Sequence, residues 1–161
     1  MPEAISNTSP LLYLYRIGAL DWLPKLFSQV WTAEAVAQEL DEGAKRGHQV
    51  PLLRTFPWLK TASPRSVPSQ WLALDLGAGE LAALAMALEN PERVVLLDDA
   101  LARRVAQAAG LQVWGTLRVV LEGKKAGLTD SVKPLIGRLT DSGMWISSDV
   151  RARILTLAGE A

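Results

Sequence analysis

The chain of 161 residues has no cysteine, which excludes disulfides and thiolate metal sites together. It has a single histidine, His48, in a stretch that reads as loop, so that ring is expected to face solvent rather than a metal. No run approaches the ~20 apolar residues that a membrane-spanning helix requires. The opening Met1-Pro2-Glu3-Ala4 carries neither a basic nor a long apolar segment, so neither a leader nor a membrane partner is expected, and the cytoplasm is the expected compartment. Net charge is missing too. Seventeen basic residues cancel 17 acidic ones, so the overall basic excess common in nucleic-acid binders is absent. No internal repeat or low-complexity tract points to a solenoid or a linker.

What is present is a globular balance. Hydrophobic residues make up 49% of the chain and charged residues 21%, at a length that suits one domain over residues 1–161. Charge is unevenly placed: between Gly43 and Leu74 stand five basic residues (Lys45, Arg46, Arg54, Lys60 and Arg65), with His48 and no acid. With Trp58 and Trp71, that segment has the composition of a single-stranded RNA track, cations for phosphates and rings for bases. Packing is the competing role for both rings, because six tryptophans in a chain of this size must mostly be core.

Periodicity divides the chain into alternating strands and helices. Ile5-Ser6, after Ala4, is a short strand. Asn7-Thr8-Ser9-Pro10 then starts a helix, with capping side chains and a proline suited to the first turn, and Gly18 stops it. A short helix opens at Asp21 and lasts through Leu26. Gln29 to Trp31 is a strand, and Thr32 caps a helix from Ala33 to about Asp41, with Val36 and Leu40 on its inner face. Pro51, Pro57, Pro64 and Pro68 break residues 43–69 into irregular pieces. Leu81, Leu84, Ala85 and Leu88 mark a helix that ends at Asn90, and Val94 to Leu97 is an apolar run of the buried parallel-strand kind. A helix after Asp98-Asp99, a strand from Leu111 to Trp114 and a helix from Leu117 to Ala126 follow. Helices from Thr129 to Leu139 and from Ser148 to Leu157 finish the chain, with Leu135, Ile136, Leu139, Ile154 and Leu157 covering the sheet or forming an interface. The alternation implies an α/β fold: a three-layer α/β/α sandwich around a central parallel sheet.

In such a sheet, functional groups collect beyond the carboxyl ends of the strands. Asn7 follows the first strand and Asp98-Asp99 follows the 94–97 run, while Glu39 and Glu80 lie near helix ends. If these four carboxylates and one amide converge, they form an all-oxygen site suited to Mg²⁺ or Mn²⁺, which would relieve the mutual repulsion of the acids. Each residue also has a structural role to offer. Asp98-Asp99 is a good helix N-terminus, Glu80 sits in a first turn, Glu39 neighbours Asp41 and Glu42 as solvated surface, and Asn7 is a capping residue. Arg103, four residues after Asp99, either pairs with it or reaches a substrate phosphate. Thr116 either hydrogen-bonds a metal-bound water or caps the helix at Leu117. Gly77-Ala78-Gly79 is no phosphate loop, because neither the Lys-Ser/Thr after it nor a strand before it is present.

These segments, taken in order, resemble a short prokaryotic branch of the PIN-domain family. The resemblance runs from Ile5-Ser6-Asn7-Thr8-Ser9-Pro10-Leu11-Leu12 and Ile17-Gly18-Ala19-Leu20-Asp21 through Val36-Ala37-Gln38-Glu39-Leu40 and Gly79-Glu80 with Ala83-Leu84-Ala85. It continues through Leu97-Asp98-Asp99 with Arg103 and Ala106 to Gly110-Leu111-Gln112-Val113-Trp114-Gly115-Thr116, covering nearly the whole chain. The resemblance implies a Rossmann-like sandwich, an Mg²⁺- or Mn²⁺-dependent endoribonuclease, RNA as partner and a homodimer. Kinship with VapC-type toxins further implies an antitoxin protein. By position, Asn7 falls where most PIN nucleases carry their first metal-binding aspartate, Glu39 matches the second acid, Glu80 the third, and Asp98 with Asp99 the fourth. Asparagine at position 7 removes one negative charge, so metal affinity should fall. The alternative is a catalytically weakened PIN-like module that binds RNA or protein. A phospho-receiver-like signalling domain ranks below both, because it needs its acids after the first strand, where Asn7 stands.

Overall fold

Ala4, Ile5 and Ser6 are buried in full, and so, to within 1% exposure, are Val94, Val95 and Leu96. Side chains alternate between the two faces of a strand, so burial of every residue in both triplets demands cover on both faces. The computed structural model, which describes residues 1–161, shows that cover. Five parallel strands, β1 (Ala4–Ser6), β2 (Val30–Ala33), β3 (Leu59–Ala62), β4 (Val94–Leu96) and β5 (Gln112–Trp114), lie in the order β3-β2-β1-β4-β5. Eight helices surround them: α1 (Thr8–Arg16), α2 (Leu23–Leu26), α3 (Glu34–Lys45), α4 (Ala78–Glu89), α5 (Ala100–Ala108), α6 (Thr116–Lys125), α7 (Lys133–Asp141) and α8 (Ser148–Leu157). This is the α/β fold that the alternation implied. No helix is long and apolar enough to cross a membrane.

The strand order contains one reversal. From β1 the chain steps outward through β2 to β3, then returns across the sheet to place β4 on the other side of β1. Ser6 pairs with Thr32 on one flank and with Leu96 on the other. The returning helix, α4, packs on β1, β2 and β4. Its buried stretch is mostly small, with Ala82, Ala83, Ala85 and Ala87 beside Leu84 and Met86, which allows close approach to the sheet. Burying each Val or Leu of these layers is worth roughly 1.5–3 kcal/mol.

Three local features differ from the sequence reading. β3 lies inside the proline-broken segment, bracketed by Pro57 and Pro64, with Lys60 and Thr61 exposed. Its pairing with β2 holds it as an edge strand, where hydrophobic pattern is weak and a lysine is well tolerated. Thr32 does not cap α3. It is a fully buried residue of β2 whose hydroxyl donates to Ser6 O (2.6 Å), and α3 starts after Ala33. Finally, α7 begins at Lys133 rather than Thr129, with Pro134 in its first turn, where a missing N–H costs nothing.

The start of α7 is capped from a distance. The Glu160 carboxylate accepts the N–H groups of Val132 (2.8 Å) and Lys133 (3.2 Å), the Ser131 hydroxyl (2.5 Å) and the Lys124 ammonium (2.9 Å). These donors, Ser131 foremost, pull the Glu160 carboxyl down to about 2. Since the folded value lies below the ordinary 4.5, the stabilisation is complete above that pH and drains away as pH falls toward 2. Glu160→Gln should therefore melt below the wild type at neutral pH, and the gap should narrow through that acid window. Circular dichroism melts across pH check both parts.

Candidate active site

At a reversal of strand order the connections leave in opposite directions, and a crevice opens beyond the carboxyl ends of the two strands. Here the reversal falls between β1 and β4. Asn7 follows β1 and donates its backbone N–H to Leu96 O of β4 (3.1 Å). Asp98 and Asp99 leave β4 just beyond. A solvent-open cavity of about 1070 Å³ lies at this edge, and Asn7, Glu39, Glu80, Asp98, Asp99 and Arg103 are among its lining residues. Glu39 reaches it from α3 and Glu80 from the first turn of α4.

Each acid is held by donors of its own. Asp98 Oδ1 accepts the Thr116 N–H (2.8 Å) and Oδ2 accepts the Thr116 hydroxyl (2.7 Å), so a strand-end acid caps α6. Glu39 Oε1 accepts the Gly79 N–H (3.0 Å) and Oε2 accepts the Thr8 hydroxyl (2.5 Å). A Cβ at position 79 would stand 2.9 Å from both of those oxygens, so glycine alone leaves room for this carboxylate. Glu80 turns back to the Gly77 N–H (3.0 Å), and Asp99 caps α5 by accepting from the Ala102 N–H (2.9 Å). Their capping roles are real, and both residues line the cavity as well. Asn7 is different. It holds the N-cap position of α1, yet its side chain caps nothing, and its Oδ1 is buried without a hydrogen-bond partner.

Burial raises the Glu80 carboxyl above its ordinary range, and Asp99, Glu39 and Asp75 push it further against the pull of the Gly77 N–H. Burial also raises Asp98, partly offset by the two Thr116 donors and by the Arg103 charge. An orphaned amide oxygen costs about 1–3 kcal/mol. That oxygen, with clustered acids and no sulfur or nitrogen donor beside it, fits a hard divalent cation that keeps several of its waters. The set is open rather than a cage: no three Asp, Glu or His side chains stand close enough to enclose an ion by themselves.

Comparison with known families is decisive about kinship. A family model for a PIN domain, DUF3368, matches residues 3–160. The chain belongs to the PIN-domain family. PIN domains are typically nucleases. Among solved structures, a PilT N-terminus domain protein of the hyperthermophilic archaeon Sulfolobus solfataricus is similar at a TM-score of 0.51 and 13% identity. The match covers 90% of this chain and 97% of that one, and it is a likeness of fold. No functionally curated relative matches the chain.

Within this PIN domain, several residues for which the sequence left alternatives open have definite partners. Arg103 forms no pair with Asp99; its Nη1 donates to Leu97 O (3.0 Å), and its charge favours ionised Asp98. Gly115 permits this, since a Cβ there would stand 2.7 Å from Arg103 Nη1 and 3.2 Å from Asp98 Oδ1. Thr116 is fully buried and does not line the cavity. Both its donors are spent on Asp98, so it positions that acid. In the basic segment, Trp71 is buried, and Trp58 packs on Phe56 and donates to Asp21 (3.2 Å), so both rings have packing roles. His48 is exposed, as expected. Sequence reasoning missed Thr8, Gly79 and Gly115 as site-shaping residues; the only signal was their place beside Asn7, Glu80 and Thr116.

The Thr116 clamp gives a direct test. Thr116→Val keeps the N–H but removes the hydroxyl, so the Asp98 carboxyl should titrate higher still in metal-free protein. Carbon-13 carboxyl NMR of the two proteins reads this, and an unchanged Asp98 titration would reject the clamp.

Proposed function

We propose that this PIN domain is a metal-dependent endoribonuclease. One observation carries the reading: Asn7, with its Oδ1 buried and unpartnered, lines the same cavity as Glu39, Glu80, Asp98 and Asp99. In this reading those residues hold Mg²⁺ or Mn²⁺, directly or through waters. A bound ion of that kind supplies Lewis acidity, lowering the pKa of water and balancing charge on a leaving oxygen. The chain's own groups do the rest. Asp98 is locked at both oxygens by Thr116, so little rotamer freedom is lost when it takes up its role. Glu80 keeps Oε2 clear of intramolecular hydrogen bonds and has raised proton affinity, which suits it to accept a proton from attacking water. The reading includes a kinship with VapC-type toxins, and with it RNA as substrate, an antitoxin protein and a second copy of the chain as partners, and the cytoplasm as compartment.

A second reading is favoured by a specific observation. Because no three acids by themselves enclose an ion, and because Asn7 removes a charge, a PIN module that binds RNA or protein without cleaving it is the alternative. Calorimetric titration with Mn²⁺ separates the two, since the alternative predicts no binding at millimolar metal.

On the nuclease reading, wild-type protein cleaves mixed RNA with Mg²⁺ or Mn²⁺, and Asp98→Asn loses at least about 100-fold in rate, the loss typical of a removed electrostatic group. Equal cleavage by both proteins overturns the proposal. Asn7→Asp adds a fifth carboxylate to the site and should bind Mn²⁺ about tenfold more tightly. In EDTA the same variant should melt lower than wild type, because it buries one more unbalanced carboxylate.

A further inference from the structure

The cavity does not end at the carboxylates. Its remaining wall comes from α1, α6, α8 and the 144–147 connection, and includes Arg118, Met144, Trp145, Val150, Arg153 and Leu157. Trp145 is 85% exposed there. The other five tryptophans all have visible structural work. Trp22 lies against Gly123, Trp31 meets the Lys60 and Arg93 cations over its ring, and Trp58 packs on Phe56. Trp71 is buried in the core, and Trp114 packs on Phe27. Trp145 has no aromatic or cationic partner and buries little of its ring, although leaving so large an apolar surface in water is unfavourable.

Two cations share the wall with it. The Arg118 guanidinium lies over the Trp114 ring (4.8 Å) and uses only Nε on Glu122 (3.3 Å), so its terminal nitrogens remain available. Arg153 is exposed and belongs to none of the four ion pairs of the molecule. An open ring beside unspent guanidinium groups is the arrangement that single-stranded nucleic acid uses: bases stack on the ring, and phosphates meet the cations. At about 1070 Å³ the cavity lies at the top of the ~300–1,000 Å³ range of ordinary small-molecule sites, and it joins the wall and the acids in one open cleft.

We propose that Trp145, with Arg118 and Arg153, forms a nucleotide subsite that holds single-stranded RNA beside the carboxylates. The choice of RNA rests on the ribonuclease reading above. The subsite replaces the basic segment between Gly43 and Leu74 as the RNA contact, since no residue of that segment lines the cavity. Base stacking on an exposed ring tolerates sequence differences, so Trp145 contributes affinity and positioning, whereas the arginines contribute the salt-dependent part.

The test is fluorescence anisotropy with a labelled single-stranded RNA of about 12 nucleotides, within the range that one binding groove covers. EDTA is present so that nothing is cleaved, and the proteins are wild type, Trp145→Ala, Trp145→Phe and Arg153→Ala. Trp145→Ala should weaken binding about 5- to 150-fold, the range for one lost base stack, and Trp145→Phe should recover most of it. Arg153→Ala should weaken binding and make the salt dependence shallower by about one phosphate contact. Because Trp145 buries so little, the melting temperature should stay close to wild type. Equal affinity of wild type and Trp145→Ala, or no RNA binding by wild type, overturns the subsite. So does a dimer that Trp145→Ala dissociates while RNA affinity holds, which assigns the face to a second copy of the chain. Cleavage with Mn²⁺ is run in parallel. If wild type cleaves and Trp145→Ala cleaves with the same KM, the subsite fails and the nuclease reading stands. If nothing cleaves but Trp145→Ala still binds RNA more weakly, the nuclease reading fails and the subsite stands.

Discussion

The pairing of β1 with β4 is the constraint on which the rest of the molecule depends. Ser6 aligned with Leu96, and the Asn7 N–H bound to Leu96 O, put the ends of two strands far apart in sequence at one edge of the sheet. The connections leaving those ends diverge, and the crevice between them is the cavity. The return of the chain through α4 makes this possible, and the alanines of that helix let it lie close on the three central strands. Had the strands followed one another in sequence order, Asn7 and Asp98 would stand on separated strands.

The site built on that junction is organised by donors rather than by charges alone. Thr116 holds Asp98, Gly79 and Thr8 hold Glu39, and Gly77 holds Glu80. Two of the supports depend on an absent side chain, since a Cβ at Gly79 or Gly115 would strike Glu39 or Arg103. The result is a group of acids whose directions are set in advance: Glu39 is exposed, whereas Glu80 and Asp98 are half-buried and raised in proton affinity by that burial. Such a group is unfavourable in isolation, and its place at a cavity mouth is what makes it a candidate site.

Much of the fold was legible in the residues. The run of Val94 to Leu97 read as a buried parallel strand and is one over Val94–Leu96, and Gly18, Gly110 and Gly127 do stand just past helix ends with positive φ. Less legible was any element whose cause lies elsewhere in the chain. β3 exists because β2 offers it a partner, so its own four residues show no clear pattern. The true start of α7 depends on Glu160, and the hydroxyl of Thr32 is taken by Ser6 across a strand pair rather than by the helix that follows it. Trp58 and Trp71 looked like a nucleic-acid track by composition, but composition does not report burial.

By itself, the sequence determined which groups could do chemistry: oxygen donors only, no thiol, one histidine in a loop, and acids at the ends of apolar segments. Those are local properties, readable from residue type and period. Only the tertiary structure decided which of these groups are neighbours. It left Asn7 Oδ1 without a hydrogen-bond partner, set Thr116 as the clamp on Asp98, and brought Trp145 into the cavity that the acids line. The physical reason is that strand order and helix packing are set by burial of the whole chain, and no single segment carries that information.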